Sequence, residues 1–173
     1  MTKVRLVVVE SEVGWWHDKV ECAVRSDGTS PAADFWLNLR NGFWPDQNAA
    51  LAPPESEVVH DYAKVLAMLE HLARNGYPIH GTASKHLLDG VWEIRYSRIR
   101  MAYFDVDQDG VNTPKLPNTE RQISDPEEKD DWWKYPQMDL TLRLTHGFIK
   151  SAERHPDQYE LAVQIREEDL ENV

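Results

Sequence analysis

Cysteine and long apolar runs are nearly absent from this 173-residue chain, and each absence excludes a class of structure. Cys22 is the only cysteine, so an intramolecular disulfide and a cysteine-based zinc site are excluded. The first twelve residues, MTKVRLVVVESE, contain only the apolar run LVVV before acidic residues follow. We therefore expect no signal peptide and no membrane span, and we expect a protein of the reducing cytoplasm.

Positive charge is also scarce, because 19 lysine and arginine residues face 30 aspartate and glutamate residues, for a formal net charge of -11. This balance argues against bulk electrostatic attraction to nucleic acid. The charge is unevenly distributed along the chain, however. Residues 84–104 carry four basic against two acidic side chains, whereas residues 105–138 carry nine acidic against four basic ones. The basic segment could therefore serve a local anionic ligand in an acidic protein.

Hydrophobic periodicity predicts one α+β domain over residues 1–173. VWEIRYS and RIRMAYFDV alternate polar and apolar residues on either side of a tight turn, which predicts a β-hairpin. Glu93, Arg95 and Ser97 are expected to share one face of this hairpin. The predicted strands are 4–10, the two arms of the hairpin and 139–150, and the predicted helices are 12–24, 31–42, 56–75 and 156–170.

Three ordered motifs resemble those of one protein family. SKHLLDGVWEIR and RMAYF are similar to the SK-x-L-x-DGLWELR and R-x-x-YF segments of the RelE/HigB superfamily, the toxins of type II toxin–antitoxin systems. LRLTHGFIKSAERHP, followed by ELAVQIREEDL, resembles the closing pattern of the HigB-like branch. The resemblance implies a RelE-like fold, a small, mainly antiparallel sheet with N-terminal helices packed on one face and a C-terminal helix. Residues 26–54 and 105–138 would then be two insertions.

The family resemblance also implies a function and its partners. Such a toxin is an mRNA endoribonuclease that acts on the ribosome without a metal or other cofactor, and a helix-turn-helix antitoxin of the HigA type neutralises it. Cleavage needs a base for the proton of a ribose 2′-hydroxyl, cations for the phosphorane and an acid for the 5′-oxygen. We therefore expect a translation inhibitor whose partners are mRNA, the ribosome and the antitoxin, with no membrane contact.

The catalytic candidates lie in the motifs that carry the resemblance. Arg95 and Arg100 are expected on neighbouring strands, where planar guanidinium groups suit the oxygens of one phosphate. His146 is the candidate for proton transfer because imidazole titrates near neutral pH, and Tyr103 would orient a ribose or stack on a base. Three of the four have a structural alternative: an ion pair of Arg95 with Glu93, a hydrogen-bonding histidine at a strand end, and a core tyrosine.

The candidates for RNA binding are Lys85, which precedes the hairpin, and Lys150, which follows the last predicted strand. The family has a lysine pair at the second position, whereas here Ser151 follows Lys150. Either lysine could instead be an ordinary surface residue. Arg98 is expected to be a solvated charge at the hairpin turn.

The acidic segment 105–138 has three interpretations. DVDQDGVN, residues 105–112, has the aspartate spacing of a calcium loop, but Leu116 stands where such a loop needs glutamate, so a polar turn is favoured. DPEEKDDWWKYP, residues 125–136, is expected to form a lid held by its two tryptophans. The third possibility is that the segment folds over the basic strands and mimics RNA, in which case deletion of residues 107–137 should raise the affinity for RNA.

Two other functions remain open. The acidic balance favours a catalytically inactive protein with the RelE fold, a binding module of a phage or mobile element. The family also contains gyrase inhibitors of the ParE branch, although the HGF-x-K ending is closer to the HigB branch. Growth arrest on expression should separate a toxin from a binding module, and DNA damage signalling should separate a gyrase inhibitor from a ribonuclease.

Overall fold

The computed structural model describes residues 3–45, 52–119, 134–151 and 155–171. Within these ranges the chain is an α+β structure, as the sequence predicts, but it has six strands and three helices where four of each were predicted. No helix in this part of the chain is long and apolar enough to cross a membrane. The strands are β1 Val7–Glu10, β2 Lys19–Cys22, β3 Ser84–Leu88, β4 Val91–Tyr96, β5 Ile99–Val106 and β6 Thr141–Ile149, and the helices are α1 Pro31–Arg40, α2 Glu55–Asn75 and α3 Pro156–Glu171.

The six strands form one mixed sheet in the order β1-β2-β6-β5-β4-β3. Four of the five pairings are antiparallel, and the pairing of β2 with β6 is parallel. The hairpin of β4 and β5 turns at Ser97 and Arg98, where it was predicted. The sheet is therefore mainly antiparallel, and β5 and β6 lie at its centre, where each is paired on both sides.

The prediction of a helix over residues 12–24 is wrong. Its place is taken by a turn and by β2, in which Val20 and Cys22 face the helices while Glu21 faces the other side. The helix was predicted from an apolar spacing that begins at Val13, and this residue is fully exposed at 105%. The apolar spacing imitates a helix, but pairing of β2 with β6 satisfies the backbone and buries alternate side chains instead.

The other three predicted helices are confirmed, with small differences at their ends. Helix α2 buries the apolar stripe expected for it and ends at Gly76, which has the left-handed φ of 78° that favours glycine at this position. Helix α1 begins at Pro31, as the sequence predicts. Ser30 does not cap α1 with its side chain, because its hydroxyl donates to the carbonyl of Ala23 at 2.7 Å.

The helices cover both faces of the sheet. Helices α1 and α2 share a core with side chains such as Ile94, Met101 and Leu144. Helix α3 packs on the opposite face, where Ala162 meets Ala102 and Ile165 meets Phe104. The Arg166 side chain of α3 also donates to the carbonyl of Asp89 in the turn between β3 and β4. Central strands are therefore buried on both sides, and polar residues on them must find partners.

The structure describes parts of both predicted insertions. Residues 26–54 include α1, which packs directly on β6. Residues 105 and 106 end β5, and in the described residues that follow them the Asp107 carboxylate accepts hydrogen bonds from the N–H groups of Asp109 and Val111. This arrangement is a polar turn. The tryptophans of the predicted lid, Trp132 and Trp133, lie outside the described residues.

Gly147 sets how closely α1 approaches β6, and its replacement tests this contact. A Cβ atom at this position would lie 2.2 Å from Cδ1 of Phe35, so one of the two elements would have to move. We expect Gly147→Ala to lower the free energy of unfolding by about 1–3 kcal/mol in urea titrations.

The double variant Gly147→Ala/Phe35→Leu serves as the control. Leucine has no ring at this position and should relieve the clash, so the double variant should lose less stability than the sum of the two single variants. Wild-type stability of Gly147→Ala would contradict the packing described here.

Candidate functional site

Strand register brings most of the predicted site residues to the α3 side of the sheet. Across four neighbouring strands, Lys85 pairs with Glu93, Glu93 with Ala102, and Ala102 with His146. Two residues further along β4, Arg95 pairs with Arg100 of β5. We call this surface the basic face; it consists of Lys85, Glu93, Arg95, Arg100, His146 and Lys150.

An irregularity in β6 places His146 on this face. Ala102 pairs with His146 but the next residue, Tyr103, pairs with Leu144, so Thr145 is an extra residue that bulges. Leu144 belongs to the core under α1 and α2, and strict alternation would put His146 on that same side. The bulge reverses the alternation and turns His146 toward α3 and the arginines.

Arg95 and Arg100 converge on the carboxylate of Glu93. Their Nε atoms lie 3.6 and 3.7 Å from the same Oε1 atom, so the ion pair considered as the alternative for Arg95 is present. Arg95 is the more accessible of the two, with 29% of its side chain exposed against 7% for Arg100. Arg100 also donates from Nη1 to the carbonyls of Ser97 and Ile99, at 2.7 and 2.9 Å.

These arginines are not saturated with hydrogen bonds. The Nε–H groups of Arg95 and Arg100 are buried and make no hydrogen bond with any described residue. Buried donors without acceptors are uncommon in folded proteins, and a bound water, an ion or a catalytic role can account for them. Each guanidinium group therefore retains an Nε–H donor that could form a hydrogen bond with an oxyanion.

Glu93 is the residue of this face that the sequence reasoning did not assign to the chemistry. Burial raises the pKa of its carboxyl group, while Arg100, Arg95, Lys85 and Lys150 act in the opposite direction, in that order. A carboxylate held between cations, with its pKa raised by burial, has the properties of a general base. The available signal was its place two residues before Arg95, on the same face of a strand.

His146 is buried in a closed set of contacts. Its Nε2 lies 2.9 Å from the Oε1 of Gln158 in α3, and its Nδ1 lies 3.2 Å from the hydroxyl of Thr145. Since an amide oxygen only accepts, Nε2 carries the proton and Nδ1 accepts from the hydroxyl. Burial lowers the pKa of His146 to about 4, and only 3% of the residue is exposed. In this arrangement the ring is neutral and acts as a structural residue, the alternative considered for it.

Tyr103 does not join the other candidates. It lies on the opposite side of the sheet, in the core under α1 and α2, and it is fully buried. Its hydroxyl is 2.7 Å from that of Ser84 and 2.9 Å from that of Tyr135, and burial raises its pKa. Tyr103 is therefore placed to support neighbouring side chains and not to stack on a base.

The two lysines occupy opposite edges of the basic face. Lys85 is exposed on β3 directly across from Glu93, and Lys150 is exposed just after β6, where its N–H donates to the carbonyl of Arg98 at 2.7 Å. The Arg98 side chain turns away from this face and lies 5.3 Å from the ring centre of Trp44. Arg98 is thus the arginine of the hairpin that is separate from the site.

Two cavities border the arginines of the basic face and extend to the α1 and α2 side of the sheet, where Trp92 lies. One has a volume of about 370 Å³ and is lined in part by Lys85 and Trp92, and the other has a volume of about 320 Å³ and includes Arg100. Arg95 and Thr82 line both of them. Among the described residues, no group of three or more histidine, cysteine, aspartate or glutamate side chains could hold a metal ion.

Replacement of His146 by glutamine should remove an acid-sensitive contribution to stability. Because its pKa is about 4 in the folded protein against 6.5 ordinarily, the folded protein binds fewer protons than the unfolded chain between these values. The wild-type free energy of unfolding should therefore fall as the pH drops from 6.5 to 4, by about 3 kcal/mol from this residue alone. Urea titrations over this range should give a flatter profile for His146→Gln.

His60→Gln is the matched control, since His60 is exposed on α2. This variant should keep the wild-type slope of stability against pH. His17, whose pKa is also lowered by burial, is present in all three proteins and cancels in the comparison. Equal slopes for wild type and His146→Gln would contradict a neutral, buried imidazole.

Comparison with known proteins adds nothing to the family resemblance described above. No protein-family model matches the chain, and no curated protein matches it. Support for a function therefore comes from the motifs and from the geometry of the basic face.

Proposed function

We propose that this protein is a HigB-like toxin with a RelE-like fold, which binds a single RNA strand on the basic face and cleaves it. The observation that supports this most strongly is the convergence of Arg95 and Arg100 on Glu93. Such an arrangement offers a phosphodiester two guanidinium groups and a base within one site. The order of the strand motifs and the α+β architecture support the same proposal.

The cleavage we propose is a transesterification without a metal. The scissile phosphate lies against Arg95 and Arg100, whose donors stabilise the negative charge of the phosphorane. Glu93 takes the proton of the 2′-hydroxyl, the 2′-oxygen bonds to phosphorus, and the bond to the 5′-oxygen breaks. The ammonium group of Lys85, the exposed cation opposite Glu93, donates a proton to the departing 5′-oxygen. The products are a 2′,3′-cyclic phosphate and a 5′-hydroxyl.

His146 has a positioning role in this mechanism. Its ring stacks on Phe148 at 5.6 Å between ring centres, and Phe148 is the register partner of Arg100. The hydrogen bond to Gln158 joins this stack to α3. We assign His146 to the packing that holds Arg100 in place, which differs from the proton transfer that the family resemblance implies for it.

The acidic charge of the protein need not prevent RNA binding, because several acids are paired away from the basic face. Glu21 and Asp169 form ion pairs with Arg143 toward the other end of β6. Asp105 and Asp139 pair with Lys115, at 3.0 and 2.7 Å. In the proposed role the protein acts in the cytoplasm on ribosome-bound mRNA, and a HigA-like antitoxin neutralises it.

Replacement of Glu93 by glutamine should separate binding from cleavage. We expect Glu93→Gln to lower the rate of RNA cleavage by about 100-fold or more, because the base is lost, while RNA affinity is retained. Arg95→Gln should weaken RNA binding by roughly 10-fold, since it removes a charged donor to phosphate. The measurements are cleavage of mRNA on purified ribosomes, with detection of the cyclic phosphate end, and equilibrium binding of a short RNA.

Arg98→Gln is the matched control, an arginine of the same hairpin that lies over Trp44. It should leave both cleavage and RNA affinity within about twofold of wild type. Circular dichroism and thermal unfolding should show that all three variants are folded. Equal activity of Glu93→Gln and wild type would rule out the assigned base.

A second candidate function is a binding protein without catalysis. The contacts of His146 with Gln158 and of Arg100 with backbone carbonyls favour it, because they occupy groups that a ribonuclease would use. RNA binding that depends on Arg95, with no cleavage on ribosomes and no growth arrest, would support this function. DNA damage signalling without mRNA cleavage would indicate a gyrase inhibitor instead.

A further inference from the structure

The cavity of about 370 Å³ that Arg95 joins to the basic face has a wall of aromatic rings on the α1 and α2 side of the sheet. Trp92 forms its centre, with the ring of His86 at 5.3 Å and 67° and the ring of Tyr135 at 5.2 Å and 68°. These edge-to-face contacts hold the three rings in fixed orientations. Trp92 is also fixed by a hydrogen bond from its Nε1–H to the carbonyl of Lys115, at 2.8 Å. The wall is therefore preorganised, as small-molecule sites usually are.

Polar groups line the remainder of this cavity. The hydroxyl of Ser84 lies on it and belongs to a chain that continues through Tyr103 to Tyr135. Because each hydroxyl can donate or accept, the chain can offer either role to a ligand. Lys85 and Arg95 supply positive charge, and none of the described residues that line this cavity is acidic. The cavity thus suits a ligand with a planar ring and a negative charge.

The position of Arg95 connects this cavity to the proposed phosphate site. Arg95 lines both cavities, and Arg100 lines the second one. A nucleotide chain alternates bases and phosphates, and proteins that bind single strands hold it by combining aromatic walls with cations along the backbone. The volume of about 370 Å³ falls within the range of cavities that accept small organic ligands, roughly 300–1,000 Å³.

We infer that the cavity lined by His86, Trp92 and Tyr135 is a subsite for one nucleotide of a single RNA strand, next to the phosphate held by Arg95 and Arg100. The base enters the aromatic cavity, its edge faces the hydroxyl of Ser84, and its phosphate contacts Lys85 and Arg95. This inference rests on the proposed RNA-binding function. Tyr103 then has a defined part, since its hydroxyl positions Ser84 and Tyr135.

Binding of a mononucleotide tests the subsite separately from cleavage. The probes are uridine 3′-monophosphate, the other three nucleoside 3′-monophosphates, uridine and inorganic phosphate, titrated into the full-length protein by calorimetry and by NMR. We expect at least one mononucleotide to bind about 10-fold more tightly than inorganic phosphate. Its addition should shift the indole N–H resonance of Trp92, assigned with a Trp92→Phe variant.

Variants on the two sides of the cavity sharpen the test. His86→Ala should reduce mononucleotide affinity by about 5- to 10-fold and leave phosphate affinity unchanged. Lys85→Gln, at an exposed position, should weaken the binding of both the mononucleotide and inorganic phosphate. It provides a second variant if His86→Ala does not fold. Lys64→Gln, on the exposed side of α2, is the matched control and should change neither.

The outcomes distinguish this inference from the proposed function. Equal affinities for mononucleotides and inorganic phosphate, or a folded His86→Ala protein with wild-type mononucleotide affinity, would overturn the subsite even if RNA is cleaved on ribosomes. Mononucleotide binding that requires His86 supports the subsite even if no RNA is cleaved. Glu93→Gln should bind the mononucleotide at least as tightly as wild type, because it loses only the competing carboxylate.

Discussion

The carboxylate of Asp169, near the end of α3, is the group on which the arrangement of the sheet and its third helix depends. It is fully buried and accepts hydrogen bonds from the guanidinium groups of Arg5 and Arg143, at 2.9–3.1 Å, and from the N–H of Val24 at 2.8 Å. A buried charge is tolerated only where opposite charges and donors surround it. This single side chain therefore joins the N-terminal segment, the chain after β2, strand β6 and α3, and it fixes α3 over the basic face.

The parts of the fold that could be predicted from the sequence are those whose determinants are local. Helix α2 has its own apolar stripe and its own glycine stop, and the hairpin has its own alternation and turn. The prediction for residues 12–24 was wrong because the determinants of this segment are distant in the sequence. Val20 belongs to a strand because it pairs with Leu142, more than a hundred residues away, and no pattern within the segment contains that information.

The candidate site shows the same division between local and distant causes. Arg95 and Arg100 could be placed together because one hairpin contains both. Tyr103 could have been placed as well, since it is three residues from Arg100 and an odd separation in a strand means opposite faces. The face of His146 could not, because it depends on the bulge at Thr145, which exists only in the register with β5. The role of Glu93 could not be predicted either, because its raised pKa depends on burial and the strand is buried only when helices cover both faces of the sheet.

Buried charges must be paired at both ends of the α3 side of the sheet, but the pairing differs between the two ends. Around Asp169 the donors and acceptors match, and the geometry is that of strong charge-assisted hydrogen bonds. Around Glu93 two guanidinium groups share one carboxylate at 3.6–3.7 Å, and their Nε–H groups make no hydrogen bond with any described residue. A fold selected only for stability would have no reason to retain the second arrangement, because a well-packed apolar cluster would serve as well. A phosphate between the arginines would supply the missing acceptors, and this difference is the physical ground for assigning function to the end with Glu93 and structure to the end with Asp169.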